Sequence, residues 1–240
     1  MKQYIRLPLE NAYNVRDLGG YAAADGVTRF GVFLRADDLT ALSRRDIDFL
    51  IQYGVRTVID LRSDHEKEAM PDPFATLDDA QYVSIPLMFD DIADVTRVVF
   101  DTPGSAMSDF YLHLLSNESH LIRQVLETIA AAEGAVLFHC AGGKDRTGMI
   151  AMLLLGLSGV APADIVANYQ VSKTYLNANP LYVKGSQGIA AELLASEPSY
   201  ITRALQYIEK AGGFLPYLRG ASLDSASIEA IRSRFIERTT

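Results

Sequence analysis

Cys140 is the only cysteine among the 240 residues of the chain, and it opens the run CAGGKDRTG, in which two glycines, a lysine, an aspartate and an arginine follow within six positions. The residues leading to it, AVLFHC (135–140), read as a buried strand, and RTGMIAMLLLGLSG beyond it reads as a helix that is apolar almost all round. The thiol is therefore delivered at a strand-to-helix turn. Gly142 and Gly143 let the backbone curl so that successive N–H groups between Ala141 and Asp145 point inward, and the helix start adds its partial positive charge. Such a cradle binds phosphate oxygens, and the guanidinium of Arg146 can grip two of them at once. The same field favours thiolate over thiol. Cys140 then acts as an in-line nucleophile beneath a phosphorus atom, and the chemistry is phosphoryl transfer to sulfur followed by hydrolysis.

Other readings of the same residues are weaker. A lone cysteine near a helix start is commonly an inert core residue, but the glycine pair and the spacing to Arg146 argue for chemistry here. A Walker-type nucleotide loop does not fit, because a lysine followed by Ser or Thr and a glycine five residues earlier are both missing. His65, His113 and His120 show no ligand spacing with one another or with Cys140, so no metal is expected. His139 reads as a residue that orders the loop by hydrogen bonds rather than as a proton carrier. A catalytically inactive phosphate-binding module would have lost the nucleophile or the arginine, and both are present. A sulfur transferase also uses a cysteine after a strand, but without the KDRTG continuation.

The elements that must position this loop can be followed along the chain. VFLR (32–35), VRTVIDLR (55–62) and QYVSIPL (81–87) read as strands, and SRRDIDFLIQYG as a helix capped by Ser43 and stopped by Gly54. HLIRQVLETIAAAEG (120–134), APADIVANYQVSKTYL, EPSYITRALQYIEKAG and SLDSASIEAIRSRF are further helices. This alternation predicts an α/β fold with a central, mainly parallel sheet of four or five strands flanked by helices. With no repeat and no linker, residues 1–240 read as a single domain. Segments 88–108 and 177–188 have weak periodicity and are candidate mobile loops over the site. Asp60 and Arg62 fit a ligand site or a structural ion pair equally well, whereas Arg16, Asp17 and the Gly19-Gly20 turn read as fold-shaping.

A net charge of -8 and a pI near 5.0 argue against nucleic acid and against broad attraction to anionic membranes, so any polyanion must bind locally. The longest apolar stretch, MIAMLLLGLSGVA, is too short to span a bilayer. One cysteine cannot close an internal disulfide, which fits a cytoplasmic location, with export of a trimmed precursor left open. Oxidised to sulfenic acid, Cys140 would have no second cysteine to trap it.

HCAGGKDRTG resembles the signature of cysteine-dependent phosphatases, and its KDRTG form is similar to that of the atypical bacterial tyrosine and phosphoinositide phosphatases. NVRDLGG, LRADDL, VIDLRS, NYQVSKTYL and GGFLPYLRGASL follow the order of that family, so the resemblance runs from about Asn14 to Leu223. It implies a protein-tyrosine-phosphatase-like fold, no metal or cofactor, and a phosphorylated protein or phosphoinositide as partner. Phosphotyrosine is the expected substrate, with phosphoserine, phosphothreonine and phosphoinositides also within the family's range. By the same resemblance Cys140 is the nucleophile, Arg146 the phosphate clamp, and Ala141, Gly142, Gly143, Lys144 and Asp145 the backbone cradle. Thr147 would place a hydroxyl near the departing thiolate, and Lys144 would add a second cation at the pocket rim. The general acid stays open between two places. The chain has no tryptophan, hence no Trp-Pro-Asp loop; MFDDIAD supplies Asp90, Asp91 and Asp94, of which Asp91 aligns best, while Asp145 lies within the loop itself.

Overall fold

Five strands carry the loop, in the order β1-β4-β7-β5-β6. They are β1 (Arg16–Asp17), β4 (Phe33–Ala36), β5 (Val55–Asp60), β6 (Gln81–Ser84) and β7 (Ala135–His139) in a computed structural model that describes residues 2–87, 106–184 and 195–238. β4, β7, β5 and β6 run parallel, and only β1 is antiparallel to its neighbour. The α/β class and the mainly parallel sheet are as the sequence predicts. β7 lies at the centre, so Cys140 emerges at the carboxyl edge, where open α/β sheets bind ligands.

The central strands are apolar on both faces because both faces are covered. Val136 and Phe138 of β7, with Phe33 and Ile59, point into one core; Ala135 and Leu137, with Leu34 and Val58, point into the other. The second core is closed by α1 (Arg44–Gln52) and by Leu7, Leu9, Ala12 and Val15 of the N-terminal segment. Ser43 and Asp46 form the capping box that starts α1. The first core is closed by most of the remaining helices. Among them α5 (Arg146–Leu157) is central, with ten buried residues out of twelve, which explains its lack of a polar face.

Several elements escape the sequence patterns. α2 (Asp64–Ala69) has no buried residue and hence no apolar stripe. α3 (Ala106–Ser116) begins inside the segment expected to be a mobile loop, and the short α7 (Pro180–Lys184) lies inside the other; residues 88–105 and 185–194 are outside the described residues. A small antiparallel sheet joins β2 (Ala22–Ala23), β3 (Gly26–Thr28) and β8 (Ile236–Arg238), bringing the C-terminal strand back beside the N-terminal third. The expected helices of the second half appear as α4 (Ser119–Ala131), α6 (Pro162–Leu176), α8 (Pro198–Lys210) and α10 (Ser225–Phe235). Between the last two lies α9 (Phe214–Gly220), unmarked in the sequence. Among the described residues no helix is long and apolar enough to cross a membrane.

α5 packs against α9 at Gly156, where an added Cβ would lie 2.1 Å from the ring of Phe214. Gly156→Ala is expected to cost about 1–3 kcal/mol through this overpacking. Urea unfolding of the two proteins measures it; equal midpoints would mean that the ring swings aside at no cost.

Candidate active site

The loop between β7 and α5 is shaped from outside by donors that come from far along the chain. The backbone N–H of Asp38 donates to the Ala141 carbonyl at 3.0 Å. Nδ2 of Asn14 donates to the carbonyls of Gly142 and Gly143, each at 3.1 Å. Nη2 of Arg35 donates to Gly143 O at 2.6 Å and to Lys144 O at 3.4 Å. Four successive carbonyls, from Ala141 to Lys144, are thus held by donors from outside the loop. In trans peptides the next N–H points the opposite way, so the amides of residues 142–145 point away from those donors.

One glycine of the pair is needed for this path. Gly143 has φ +59° and an added Cβ would lie 2.3 Å from Ala36 O, whereas at Gly142 the nearest atom would be 3.9 Å away. Only Gly143 is fixed by conformation and space together.

Cys140 is 2% exposed at the base of a cavity of about 610 Å³, whose walls include Tyr13, Met70, Leu176, Pro180 and Tyr182. Arg146 sits in the same cavity, oriented by a residue that the sequence reading did not single out. Its Nη1 and Nη2 donate to Glu66 Oε2 at 2.7 Å and Oε1 at 2.8 Å. Burial pushes the Glu66 carboxyl up, but the Arg146 guanidinium and the Ser63 donors outweigh it and hold the group at about 2. Glu66 also closes the capping box of α2, accepting from the Ser63 N–H at 2.8 Å. The Ser-x-x-Glu spacing of SDHE was the available sequence signal.

Lys144 and Asp145 of the loop are occupied as well. Lys144 is not at the rim: its residue is 1% exposed, and Nζ donates to Asp145 Oδ1 at 2.8 Å and Ala195 O at 2.7 Å. Asp145 Oδ1 also accepts a short hydrogen bond from the Tyr111 hydroxyl, which in turn contacts the Tyr169 hydroxyl at 2.8 Å. Burial and then the Asp145 charge push the Tyr111 hydroxyl well up, keeping it a donor. The Thr147 hydroxyl is fully buried without a hydrogen-bond partner among the described residues, so the expected donation to Cys140 is not made in this structure. Asp90, Asp91 and Asp94 lie outside the described residues.

Behind the loop, Arg62 donates from Nε and Nη2 to Asp60 and from Nη1 to Asp38 Oδ2 at 2.5 Å, and the Tyr82 hydroxyl also donates to Asp60. Asp60 and Arg62 are therefore an internal ion pair. His139, fully buried, has Nε2 at 3.2 Å from Asp72 Oδ2 and 3.6 Å from Asp60 Oδ2. Asp60, Asp72 and His139 could present three metal-ligand atoms within 4.8 Å of one another. Arg62 already supplies the cation that Asp60 requires, which makes an additional divalent ion at this spot electrostatically unfavourable. Asp17 is fold-shaping as expected, accepting from the N–H groups of Gly19 and Gly31 and from the Tyr53 hydroxyl.

Residues 7–237 match the family model described as "Tyrosine phosphatase family". A "Tyrosine-protein phosphatase" of Nostoc commune is 42% identical over 149 residues, covering 62% of this chain and half of that protein. A Cupriavidus necator protein described as a tyrosine-protein phosphatase is 33% identical over 230 residues, 90% of this chain and 83% of the relative. The "Triple specificity protein phosphatase PtpB" of Mycobacterium tuberculosis is 26% identical over 270 residues, covering 93% and 96%.

Two outcomes follow from the loop geometry. Gly143→Ala is expected to lower phosphatase turnover by more than about tenfold, since small displacements of reacting groups cost that much, with Gly142→Ala close to wild type; assays of both variants on one substrate decide it. Glu66 has its folded pKa below the usual 4.5, so its stabilisation is present above that value and is lost as the pH falls towards about 2. Glu66→Gln should flatten the acid limb of the thermal-unfolding midpoint plotted against pH.

Proposed function

Because the chain belongs to the tyrosine phosphatase family, we propose that it hydrolyses phosphotyrosine through a phosphocysteine intermediate, with Cys140 as nucleophile and Arg146 as phosphate clamp. The observation that carries this reading is the tethering of the four carbonyls from Ala141 to Lys144 by donors outside the loop, which supports a cradle of their partner amides beside Cys140. In the first step the sulfur forms a bond to phosphorus while the bond to the tyrosyl oxygen breaks, and that oxygen takes a proton from an acid. Water then attacks phosphorus, the S–P bond breaks, and inorganic phosphate leaves with the thiolate restored. The inward amides and Arg146 match the charge on the equatorial oxygens in both steps.

For the acid we propose Asp91, on sequence position. Asp145 fits the role less well, because its Oδ1 is already engaged by the Lys144 ammonium and the Tyr111 hydroxyl. Asp145 instead ties the loop to α3 through Tyr111.

Phosphotyrosine is favoured over phosphoinositides with several phosphates. The cations in the described cavity, Lys144 and Arg146, are already paired with Asp145 and Glu66, and the walls add Asp37 and Asp38 beside apolar and aromatic side chains. Extra phosphates would meet carboxylates there.

The test is phosphate release, in EDTA, from a phosphotyrosine peptide and a phosphoinositide side by side. Release from the peptide is expected to exceed release from the lipid and to vanish in Cys140→Ser; a lipid preference would reverse the substrate assignment. Asp91→Asn should remove the basic limb of the pH–rate profile, and its loss in Asp145→Asn alone would transfer the acid role.

A further inference from the structure

Two arginines lie in the interior behind the loop, and among the described residues neither has a carboxylate partner. Arg16 and Arg35 are paired across the antiparallel β1–β4 contact, and each is 1% exposed. Arg16 donates to Asn168 O at 2.5 Å and to Ser172 Oγ at 2.7 Å, and lies 5.7 Å from the Tyr175 ring centre. Arg35 donates to Asn168 Oδ1 at 2.6 Å and to the carbonyls of Gly143 and Lys144. The Nε of each has no partner among the described residues.

All these hydrogen-bond acceptors are neutral. They satisfy N–H groups but place no counter-charge within ion-pair distance, and a buried cation without a close counter-charge is costly. Its effect on the pair is visible: burial and then the Arg35 charge hold Arg16 well below the usual range. Burial brings Arg35 down to about 10, and the foremost influence opposing that is the charge of Cys140. Arg16 has the Asp37 carboxylate among the charges that oppose its shift, so the counter-charge in the cradle, one strand away, belongs to Arg35.

We propose that Arg35 is a positioning residue of the reaction: pulling on the carbonyls of Gly143 and Lys144, it makes the opposite ends of those peptides more positive and stabilises whatever anion the loop holds. That anion is the Cys140 thiolate when the loop is empty and the phosphoryl group when it is filled. The polarisation runs through the peptide units, as in any chain of hydrogen bonds in a low-dielectric interior, and linkage makes it reciprocal, so the anion in turn stabilises the buried arginine. The inference rests on the phosphatase reading above and adds a charge that never touches substrate.

The experiment compares wild type, Arg35→Gln and Arg35→Lys by two readouts near neutral pH: alkylation of Cys140 by iodoacetamide, a neutral probe of the thiolate, and binding of orthovanadate. Arg35→Gln should be alkylated about tenfold more slowly and bind orthovanadate about tenfold more weakly, while Arg35→Lys, which keeps the charge, recovers most of both. Wild-type values in a folded Arg35→Gln would overturn the proposal. So would losses in Arg35→Lys as large as in Arg35→Gln, since mechanical anchoring of the loop would then explain everything. If Arg35→Gln does not fold, Arg35→Lys alone decides: values within about threefold of wild type support the charge, and a tenfold loss refutes it. A wild-type protein that is alkylated no faster than free cysteine and ignores orthovanadate would instead remove the phosphatase reading itself.

Discussion

The chemistry of the loop depends on the direction of four carbonyls, because a planar trans peptide that sends its oxygen one way sends the following N–H the other. Left alone, a glycine-containing turn has no reason to point four successive amides at one spot. The outward pull of Asp38 N–H, Asn14 and Arg35 supplies the reason. All three donors lie about a hundred residues or more before the loop, so the cradle is a tertiary product and not a local motif. The parallel pairing of β4 with β7, which sets Ala36 opposite His139, is what brings residues 35–38 alongside the loop.

Asp38 links this clamp to the buried charges beneath it. Its N–H holds Ala141, and its carboxylate holds Arg62, which in turn binds Asp60 beside His139, the residue before Cys140. The arrangement is costly in desolvation, and the cost is offset where Arg62 serves two carboxylates at once. Asp60 is held below the usual carboxylate range although burial pushes it up, because Arg62 and His139 outweigh the burial. Such a network gains little net stability, but it leaves the ends of β5 and β7 one way to sit.

What was legible in the sequence was whatever had a period or a local spacing. The strands around Phe33, Val58 and Leu137 and the helix from Arg146 carried continuous apolar runs, and the Cys140–Arg146 spacing is set by one turn of chain. What was illegible depended on contacts between distant segments. Nothing near Lys144 in sequence reveals that Ala195, 51 residues on, will accept from it, or that Arg16 and Arg35 will face each other without a carboxylate partner among the described residues. α2 was invisible for the opposite reason: it buries nothing, and only its Ser63–Glu66 box marks it. That box mattered, since Glu66 turned out to be the partner of Arg146.

The pairing of Glu66 with Arg146 looks at first like competition with the phosphate that Arg146 is meant to hold. A count of donors shows otherwise. A guanidinium has five N–H groups in a fixed plane. Glu66 takes one from Nη1 and one from Nη2, and Leu61 O lies at 3.4 Å from Nη1 on its other side. The Nε–H and the second N–H of Nη2 remain, and these two form the side-on fork that matches two phosphate oxygens. Glu66 therefore fixes the plane of the guanidinium by its end and leaves its side for the substrate. A lysine at 146 has three donors around one nitrogen and no plane, so it cannot divide its donors this way. In the proposed reaction, an arginine at this position can serve a carboxylate and a phosphate at the same time.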